Sequence, residues 1–369
     1  AGDNAKALAI YDKITVEAPE SAEGRKALLS KALLLGNMGK TDEAIRAYRS
    51  VVTDYPTSSE ARVAVDDLRR IYAERDGLDE FVAFLNSVPS APKLNVSEIE
   101  EAAFKAAETA YIDNQDISRM KNYLARFSGG VYEVQALYYV CDYAYEHRDN
   151  ALALDAARQL VSRYPDSEYA EVALQIKAEL ESDAKDYAEA LRSYLRLEDK
   201  ATTPSTMAVA RRGIMLTAYR TGEYPTVLKA TDRLLNGATD AVVGADEINF
   251  YRAEALAALG YPDRACDLWS ALTKSKTDDV GIMSKIRLGE TLLMKGDADS
   301  ARDIASEVVS EGSDNNYWLA RAYLLLSDAL RAKGEIFDAD EYLRLLRENY
   351  PAADDEDDIP NRISSRLAL

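Results

Sequence analysis

The chain offers few residues that could carry out catalysis or hold a metal. Its one histidine, His147, lies in the stretch YEHRDN, where an exposed or helix-capping role is more usual than acid–base chemistry. No Cys–His cluster, HExxH pair or Walker-type glycine loop occurs, and these are the common zinc and nucleotide signatures. Residues 354–358 read DDEDD, but this acidic run lacks the alternating ligands and central glycine of an EF-hand loop. We therefore expect a protein without enzymatic activity, metal or cofactor.

A strong negative charge is the most distinctive property of the composition. The 369 residues include 64 Asp and Glu against 45 Lys and Arg, which gives a formal net charge of −19. Nucleic acids and anionic membranes are bound by positive surfaces, so neither is expected as a partner. No apolar run approaches the roughly 20 residues that span a bilayer. The charge is compatible with basic protein partners, although a solvated acidic surface is its more common meaning.

One sequence pattern returns along the whole chain. The stretch AIRAYRSVVTDYPTSSEA at 44–61 is matched by ALDAARQLVSRYPDSEYA at 153–170. Positions equivalent to Ala44 are separated by 37, 37, 39, 33, 37, 37, 38, 36 and 38 residues, and seven of the ten carry alanine. We call these positions the anchors; they are Ala7, Ala44, Phe81, Met120, Ala153, Ala190, Val227, Ala265, Ala301 and Ala339. A repeat of this length predicts a solenoid of helical hairpins.

The residues around each anchor predict where the helices begin and end. Apolar residues four and seven positions after the anchor share one helical face. Twelve positions after it, a proline ends the helix in four units, at Pro19, Pro56, Pro165 and Pro351. Five positions before it, a glycine ends the preceding helix in six units, at Gly2, Gly39, Gly222, Gly260, Gly296 and Gly334. Each unit is therefore predicted to consist of a first helix, a tight turn and a second helix.

This pattern resembles the tetratricopeptide repeat (TPR), a helix–turn–helix unit of about 34 residues with a small residue and a proline in these places. The resemblance covers essentially the whole chain. It implies an all-α fold, a right-handed α-solenoid of about nine hairpins with a leading lone helix and a short C-terminal capping helix. The corners YPTSSEA and YPDSEYA are similar to those of long TPR proteins of the bacterial cell envelope. An α-solenoid of HEAT type is the structural alternative.

Residues 1–369 are expected to form a single continuous solenoid with one irregular region. Phe81 and Met120 replace the small anchor there, and the two-proline loop NSVPSAPKLNVSE at 86–98 replaces a tight corner. We expect a bend near residues 77–128. Residues 1–16 are expected to be the second helix of a truncated unit. Residues 359–369 are expected to be a capping segment, because Ile359, Ile363 and Leu367 form an apolar stripe at a spacing of four.

The two cysteines, Cys141 and Cys266, are expected to be free thiols. They lie more than three repeat units apart, and each unit of a solenoid touches only its neighbours. A disulfide requires Cα atoms within about 7 Å of each other. Cys141 falls on a first helix where the repeat favours a small residue, so we expect it to pack in the core rather than to act as a nucleophile.

In TPR proteins the first helices line a concave groove that binds peptides or partner helices, and the matching positions here are rich in acidic residues. Eleven positions before the anchor, five of nine first helices carry Asp or Glu, all from residue 142 onward. Positions four earlier and three later share that helical face. The candidate partner-binding residues are Tyr138, Asp142, Tyr145, Glu179, Arg212, Tyr219, Phe250, Glu254, Glu290 and Asp328. Such a face suits a segment that is basic and partly apolar; an ordinary solvated helix face is the alternative.

The sequence thus predicts a non-enzymatic protein–protein interaction scaffold that binds a peptide or partner helix in this groove. The resemblance to envelope proteins implies a role in cell-envelope assembly. It also implies a periplasmic or outer-membrane-associated location in a Gram-negative bacterium, with the cytoplasm as the alternative. The alternative function is that of a docking segment in a larger enzyme or signalling protein. A structural spacer without a specific ligand is a third reading.

Overall fold

The computed structural model describes residues 2–237, 244–274, 278–351 and 358–368. Within these ranges the chain forms 20 α-helices and contains no β-strand. The helices group into two compact units, Ala1–Ala173 and Leu174–Leu369. Across the same ranges, no helix is long and apolar enough to cross a lipid bilayer.

The first unit contains nine helices and the beginning of a tenth. They are α1 (Gly2–Glu17), α2 (Ala22–Asn37), α3 (Thr41–Asp54), α4 (Ser59–Glu74), α5 (Leu78–Ser87), α6 (Val96–Asn114), α7 (Ser118–Arg126), α8 (Glu133–Glu146), α9 (Asn150–Arg163) and α10 (Ala170–Asp183). The shortest second helices of this unit, α5 with 10 residues and α7 with 9, lie in the irregular region at 77–128. The bend expected there stays a prediction.

The second unit contains the rest of α10 and ten further helices. These are α11 (Tyr187–Lys200), α12 (Pro204–Thr221), α13 (Tyr224–Leu235), α14 (Ala245–Ala258), α15 (Pro262–Leu272), α16 (Asp278–Met294), α17 (Ala298–Glu311), α18 (Asn316–Ala332), α19 (Ile336–Asn349) and α20 (Ile359–Leu367). Even-numbered first helices alternate with odd-numbered second helices from α2 to α19. The described residues therefore form nine hairpins, with α1 before and α20 after them, and this confirms the predicted α-solenoid.

Every hairpin turns through a residue whose backbone is left-handed, five positions before the anchor. In five hairpins this residue is a glycine predicted from the sequence, with φ between 72° and 90°: Gly39, Gly222, Gly260, Gly296 and Gly334. In the other four it is Asp76, Gln115, Arg148 or Lys185, with φ between 57° and 60°. A side chain is strained in this region because its Cβ approaches the following carbonyl oxygen. The packing of the two helices thus sets the left-handed conformation of the turn residue. Glycine only lowers the free-energy cost of adopting that conformation.

The recurring Tyr-Pro-x-Ser corner ends one helix and begins the next. Helices α3 and α9 both end two residues before the corner proline, because proline excludes the preceding residue from the helical region. Ser58 then caps α4, as its side chain accepts a hydrogen bond of 3.0 Å from the backbone N–H of Ala61. The corner at 55–58 therefore fixes both helix boundaries with four residues, whereas the hydroxyl of Ser167 in the second corner has no hydrogen-bond partner among the described residues.

The anchors lie at the centre of the core. Nine of the ten are 0% exposed, and only Ala7 is partly exposed. A small residue at this position lets the first and second helices approach closely, and in three hairpins Phe81, Met120 or Val227 fills the same place.

The C-terminal helix α20 packs on the last hairpin. Ile359 and Ile363 are 0% and 2% exposed, and they lie in one cluster with Leu324, Leu343 and Leu346. The apolar stripe read from the sequence is therefore buried against α18 and α19. Its role as a cap stays a prediction.

Candidate partner-binding site

All ten candidate binding residues lie on first helices. In the first unit, Tyr138, Asp142 and Tyr145 lie on α8. The second unit holds Glu179 on α10, Arg212 and Tyr219 on α12, Phe250 and Glu254 on α14, Glu290 on α16 and Asp328 on α18. The structure gives the residues of the two units different surroundings.

Tyrosines of α6, of α8 and of the corner before α10 form an aromatic surface in the first unit. The ring of Tyr138 stacks on Tyr169 with 4.4 Å between centroids. Tyr111 of α6 contacts Tyr139 at 5.2 Å and Tyr143 at 6.2 Å. All five rings are partly exposed, so their outer faces are open to contact.

The carboxylate of Asp142 lies beside these rings and pairs with none of the residues that the structure describes. It is partly buried and makes no hydrogen bond or ion pair with any described residue. Burial, and then the nearby charge of Glu146, raises the pKa of Asp142. Glu146 is exposed one helical turn further on and is likewise without an ion pair in the described part of the chain. Two carboxylates without an ion-pair partner among the described residues therefore lie next to aromatic rings.

The acidic residues of α14 and α16 are instead paired with arginines of the same chain. The hydroxyl of Tyr219 donates a hydrogen bond of 2.8 Å to Oε2 of Glu254. The same oxygen lies 2.8 Å from an Nη of Arg287. Glu290 accepts hydrogen bonds from Arg287, at 3.2 Å, and from Arg321. Charges of alternating sign therefore connect α14, α16 and α18, and we call these four charged residues the Glu–Arg network.

Burial and opposite charge act against each other in this network. Glu254 is only 7% exposed, and burial raises its pKa although Arg287 and the Tyr219 hydroxyl lower it. Burial lowers the pKa of Arg287, but the charges of Glu254 and Glu290 outweigh this and raise it overall. With two carboxylates and two guanidinium groups the network is formally neutral, so it is not a free acidic surface.

The remaining candidates of the second unit also have internal contacts. Asp328 binds Arg366 of α20 in a bidentate pair, with N–O distances of 2.7 and 2.6 Å. Arg212 contacts Glu247 at 2.8 Å, and Glu179 accepts a hydrogen bond of 3.0 Å from Gln175. Phe250 is 3% exposed and packs in the core, so its ring supports the helix and is closed to a partner.

Sequence reasoning missed the arginines that pair with the acidic residues of α14, α16 and α18. Arg287 lies three residues before Glu290 on α16, a spacing that puts both on one face, so it could have been found. Arg321 is 31 residues from Glu290 and Arg366 is 38 residues from Asp328 along the chain. Nothing in the local pattern indicates these two pairings.

Cysteine, histidine and metal chemistry find no support in the described residues. Both cysteines are free thiols, as expected. Cys141 is 1% exposed, and burial raises the pKa of its thiol to about 12, so it is protonated at neutral pH. His147 follows the last residue of α8 and stacks on Tyr143 at 3.9 Å. No group of His, Cys, Asp or Glu side chains in the described ranges is arranged to hold a metal ion. Of the acidic run at 354–358, all but Asp358 lies outside these ranges.

Comparison with known proteins identifies the repeat. A tetratricopeptide repeat family model matches residues 26–58, 135–167 and 317–353. No curated protein matches the chain by sequence.

Solved structures similar to this chain share little sequence identity with it, and two of them are described as tetratricopeptide repeat structures. The TPR domain of P58(IPK) is 15% identical and covers 100% of this chain and 94% of its own, with a TM-score of 0.31. A tetratricopeptide repeat protein from Parabacteroides merdae is 14% identical over 83% of this chain and 98% of its own, with a TM-score of 0.33. Yeast Tom70 is 14% identical over 100% of this chain and 85% of its own, with a TM-score of 0.40. Likeness at this level carries no argument about function.

Each matched segment coincides with one hairpin: α2/α3, α8/α9 and α18/α19. The chain therefore carries tetratricopeptide repeats in these three hairpins, and its other hairpins share the same left-handed turn and buried anchor.

Proposed function

We propose that this protein is a non-enzymatic interaction scaffold that binds a basic, partly apolar peptide or partner helix on the α8 face of its first unit. Tetratricopeptide repeats are protein-interaction modules, which supports the general class. The observation that supports the specific site is the partly buried carboxylate of Asp142, which forms no ion pair with any residue that the structure describes. Tyr138 and Tyr145 lie one helical turn to either side on the same face.

A lysine or arginine of the partner satisfies both features of this face. Its cationic group pairs with Asp142 and Glu146, and each such pair contributes about 0.2–1 kcal/mol where it is exposed. Its stem and charge also lie against the tyrosine rings, which adds about 0.5–2 kcal/mol from cation–π attraction. A neighbouring apolar residue of the partner covers the outer faces of the rings.

The candidates of the second unit are expected to add little to the binding of a basic segment. Glu254, Glu290 and Asp328 already have arginine partners. A basic peptide would have to displace these arginines. Exchanging one cation for another brings no net electrostatic gain.

Peptide binding measured by fluorescence anisotropy tests the site. We compare equally long Lys–Leu, Ser–Leu and Glu–Leu peptides. The double variant Asp142→Asn/Glu146→Gln is expected to weaken Lys–Leu binding about 5- to 30-fold, since it removes roughly 1–2 kcal/mol of ion pairing. Ser–Leu binding should not change, and rising salt should reduce the difference between the peptides.

The matched control is Asp54→Asn/Asp155→Asn, which makes the same charge change on the exposed second helices α3 and α9. It should leave Lys–Leu binding within about twofold of the unmodified protein, because the net charge is equal but the site is intact. Equal losses of Lys–Leu affinity in both double variants would show that the net charge of the protein causes the effect. They would refute the α8 site.

A location in the periplasm or at the outer membrane of a Gram-negative bacterium, with a role in envelope assembly, is proposed only from the resemblance of the Tyr-Pro-x-Ser corners. Fractionation of cells that express the tagged full-length protein tests it, and recovery in the cytoplasm would overturn it. The alternative function, a docking segment of a larger enzyme or signalling protein, predicts a catalytic domain in the same reading frame.

A further inference from the structure

Three successive hairpin turns of the second unit, with the helix ends beside them, expose large apolar side chains. These are the turns between α14 and α15, α16 and α17, and α18 and α19. We call the exposed residues the apolar turn edge: Leu259, Tyr261, Met294, Ile336 and Phe337. Met294 and Phe337 are 80% and 75% exposed. Single apolar residues are common on protein surfaces, whereas a group of them marks an interaction site.

The equivalent turns of the first unit lack this feature. The described segments 37–42, 74–79, 113–118 and 146–151 lie at the same distance before their anchors, and they expose no large apolar side chain. Leu78 and Ile117 belong to two of these segments and are buried. The apolar turn edge is therefore a property of the second unit and not a consequence of the hairpin turn itself.

Two ion pairs show that the three turns lie side by side. Nζ of Lys295 lies 2.5 Å from Oδ1 of Asp263, and Nζ of Lys333 lies 2.5 Å from Oδ1 of Asp299. Each pair joins the turn of one hairpin to the start of the second helix in the hairpin before it. Packed helices lie about 8–10 Å apart. The exposed apolar groups therefore recur at about this interval along one edge of the unit.

This interval fits an α-helical ligand and not an extended strand. Seven residues of an α-helix rise about 10.5 Å and return to nearly the same face. An extended strand covers about 10 Å in three residues, but residues three positions apart point to opposite faces of the strand. A helix with an apolar stripe at heptad spacing therefore reaches all three turns with one face.

The charges beside the edge favour a basic ligand. Segments 258–264, 294–300 and 332–338 contain five carboxylates and three cations: Asp263, Asp297, Asp299, Glu335 and Asp338 against Arg264, Lys295 and Lys333. Both lysines already pair with an aspartate of the neighbouring hairpin. The excess charge along the edge is therefore negative.

We propose that the apolar turn edge docks an amphipathic helix of a partner polypeptide, with apolar residues at heptad spacing and a net positive charge. A second copy of this chain, with its net charge of −19, is disfavoured by repulsion. The edge shares no residue with the α8 face, so each proposal can fail without the other.

Helical peptides of three heptads test the kind of ligand. The first carries leucine at the a and d positions and lysine elsewhere. An isomer of the same composition distributes the leucines round the helix, and a third peptide replaces the lysines by glutamates. Fluorescence anisotropy measures binding to the variant Asp142→Asn/Glu146→Gln, which removes the charge of the α8 face. The first peptide should bind about tenfold or more tightly than either of the others. Equal affinity for the first peptide and either of the others would overturn the proposal.

The variant Met294→Ser/Phe337→Ser tests the location, made in the same background. It should weaken binding of the first peptide about tenfold or more, because truncation of central apolar side chains weakens an interface. The control Val16→Ser/Val131→Ser removes two apolar side chains of matched exposure, 79% and 76%, outside the edge and should leave binding unchanged. Equal losses in both variants would refute the turn edge. If circular dichroism shows that the first variant is unfolded, the comparison of the three peptides still decides the matter.

Sedimentation of the unmodified protein at rising concentration tests the other occupant. The proposal predicts no association through this edge. A dimer that Met294→Ser/Phe337→Ser abolishes would assign the edge to a second copy of the chain and contradict a partner helix.

Discussion

The hydroxyl of Tyr55 donates a hydrogen bond of 2.7 Å to the carbonyl oxygen of Pro19. These residues belong to successive corners of the repeat, so the bond connects the end of one hairpin with the end of the one before it. Tyr164 occupies the equivalent place three repeats later, where the preceding corner lacks proline. Its hydroxyl donates instead to Glu133, which also accepts from the backbone N–H of Gly129 at 2.9 Å. A carboxylate thus replaces the corner carbonyl and keeps the connection.

Replacing Tyr55 by phenylalanine should destabilise the first unit modestly. The variant keeps the ring and loses one hydrogen bond, whose net contribution is about 0.5–1.5 kcal/mol. Urea unfolding followed by circular dichroism measures the change. Tyr187→Phe is the control, because the hydroxyl of Tyr187 has no hydrogen-bond partner in the described ranges. Equal stability of the Tyr55 variant and this control would show that the corner bond contributes nothing.

Replacing Gln115 by glycine should stabilise the protein. Gln115 has φ 57° at the turn between α6 and α7, where a side chain costs about 1–2 kcal/mol. Glycine removes this strain but loses more backbone entropy on folding, so the net gain is up to about 1 kcal/mol. The same urea experiment measures it. Gln115→Ala keeps a Cβ and should bring no gain; a similar increase for alanine would rule out relief of backbone strain.

Replacing Asp142 by asparagine should stabilise the folded chain at neutral pH while it removes the proposed binding group. The folded state raises the pKa of Asp142, so ionisation is harder in the folded than in the unfolded chain. Its contribution to stability is fully present below the ordinary Asp range and is lost as the pH rises through the raised pKa. The asparagine variant avoids this loss.

Unfolding free energies of both proteins between pH 3.5 and 7.5 test this. The advantage of Asp142→Asn should be largest at the upper end of that range and should shrink as the pH falls towards the ordinary Asp range. Asp155→Asn, an exposed change on α9, should show no such trend. A constant difference at every pH would contradict a raised pKa as the cause.

Replacing Ile363 by alanine should loosen α20. Ile363 is 2% exposed in the cluster with Leu324 and Leu343, and truncation of a buried isoleucine costs about 2–5 kcal/mol. A helix of nine residues has little stability of its own, so we expect it to detach and expose apolar surface. Binding of a hydrophobic dye and self-association, measured by light scattering, should increase, as they should on deletion of residues 359–369. Ser364→Ala on the exposed face is the control. A variant that behaves like this control would end the interpretation of α20 as a cap.

The sequence by itself determined the repeat, because each of its signals acts over a few residues. A proline ends a helix two residues before it, Ser58 caps the next helix, and an anchor that is alanine in seven of ten units recurs every 33 to 39 positions where two helices pack. These effects do not depend on distant parts of the chain. The number of hairpins and the positions of the nine buried anchors could therefore be predicted from the spacing alone.

Only the tertiary structure decided which charges meet. Asp142 and Glu290 occupy the same position of their repeats. Within the described part of the chain Asp142 forms no ion pair, while Glu290 lies between Arg287 and Arg321. Arg321 comes from the following first helix, 31 residues away, and its side chain reaches Glu290 because first helices of successive hairpins are neighbours. Charge pairing depends on separations of a few ångströms between side chains of different helices. The repeat pattern does not encode these separations. It therefore located the acidic residues of the first helices, but it did not indicate which of them pair with arginines of the same chain.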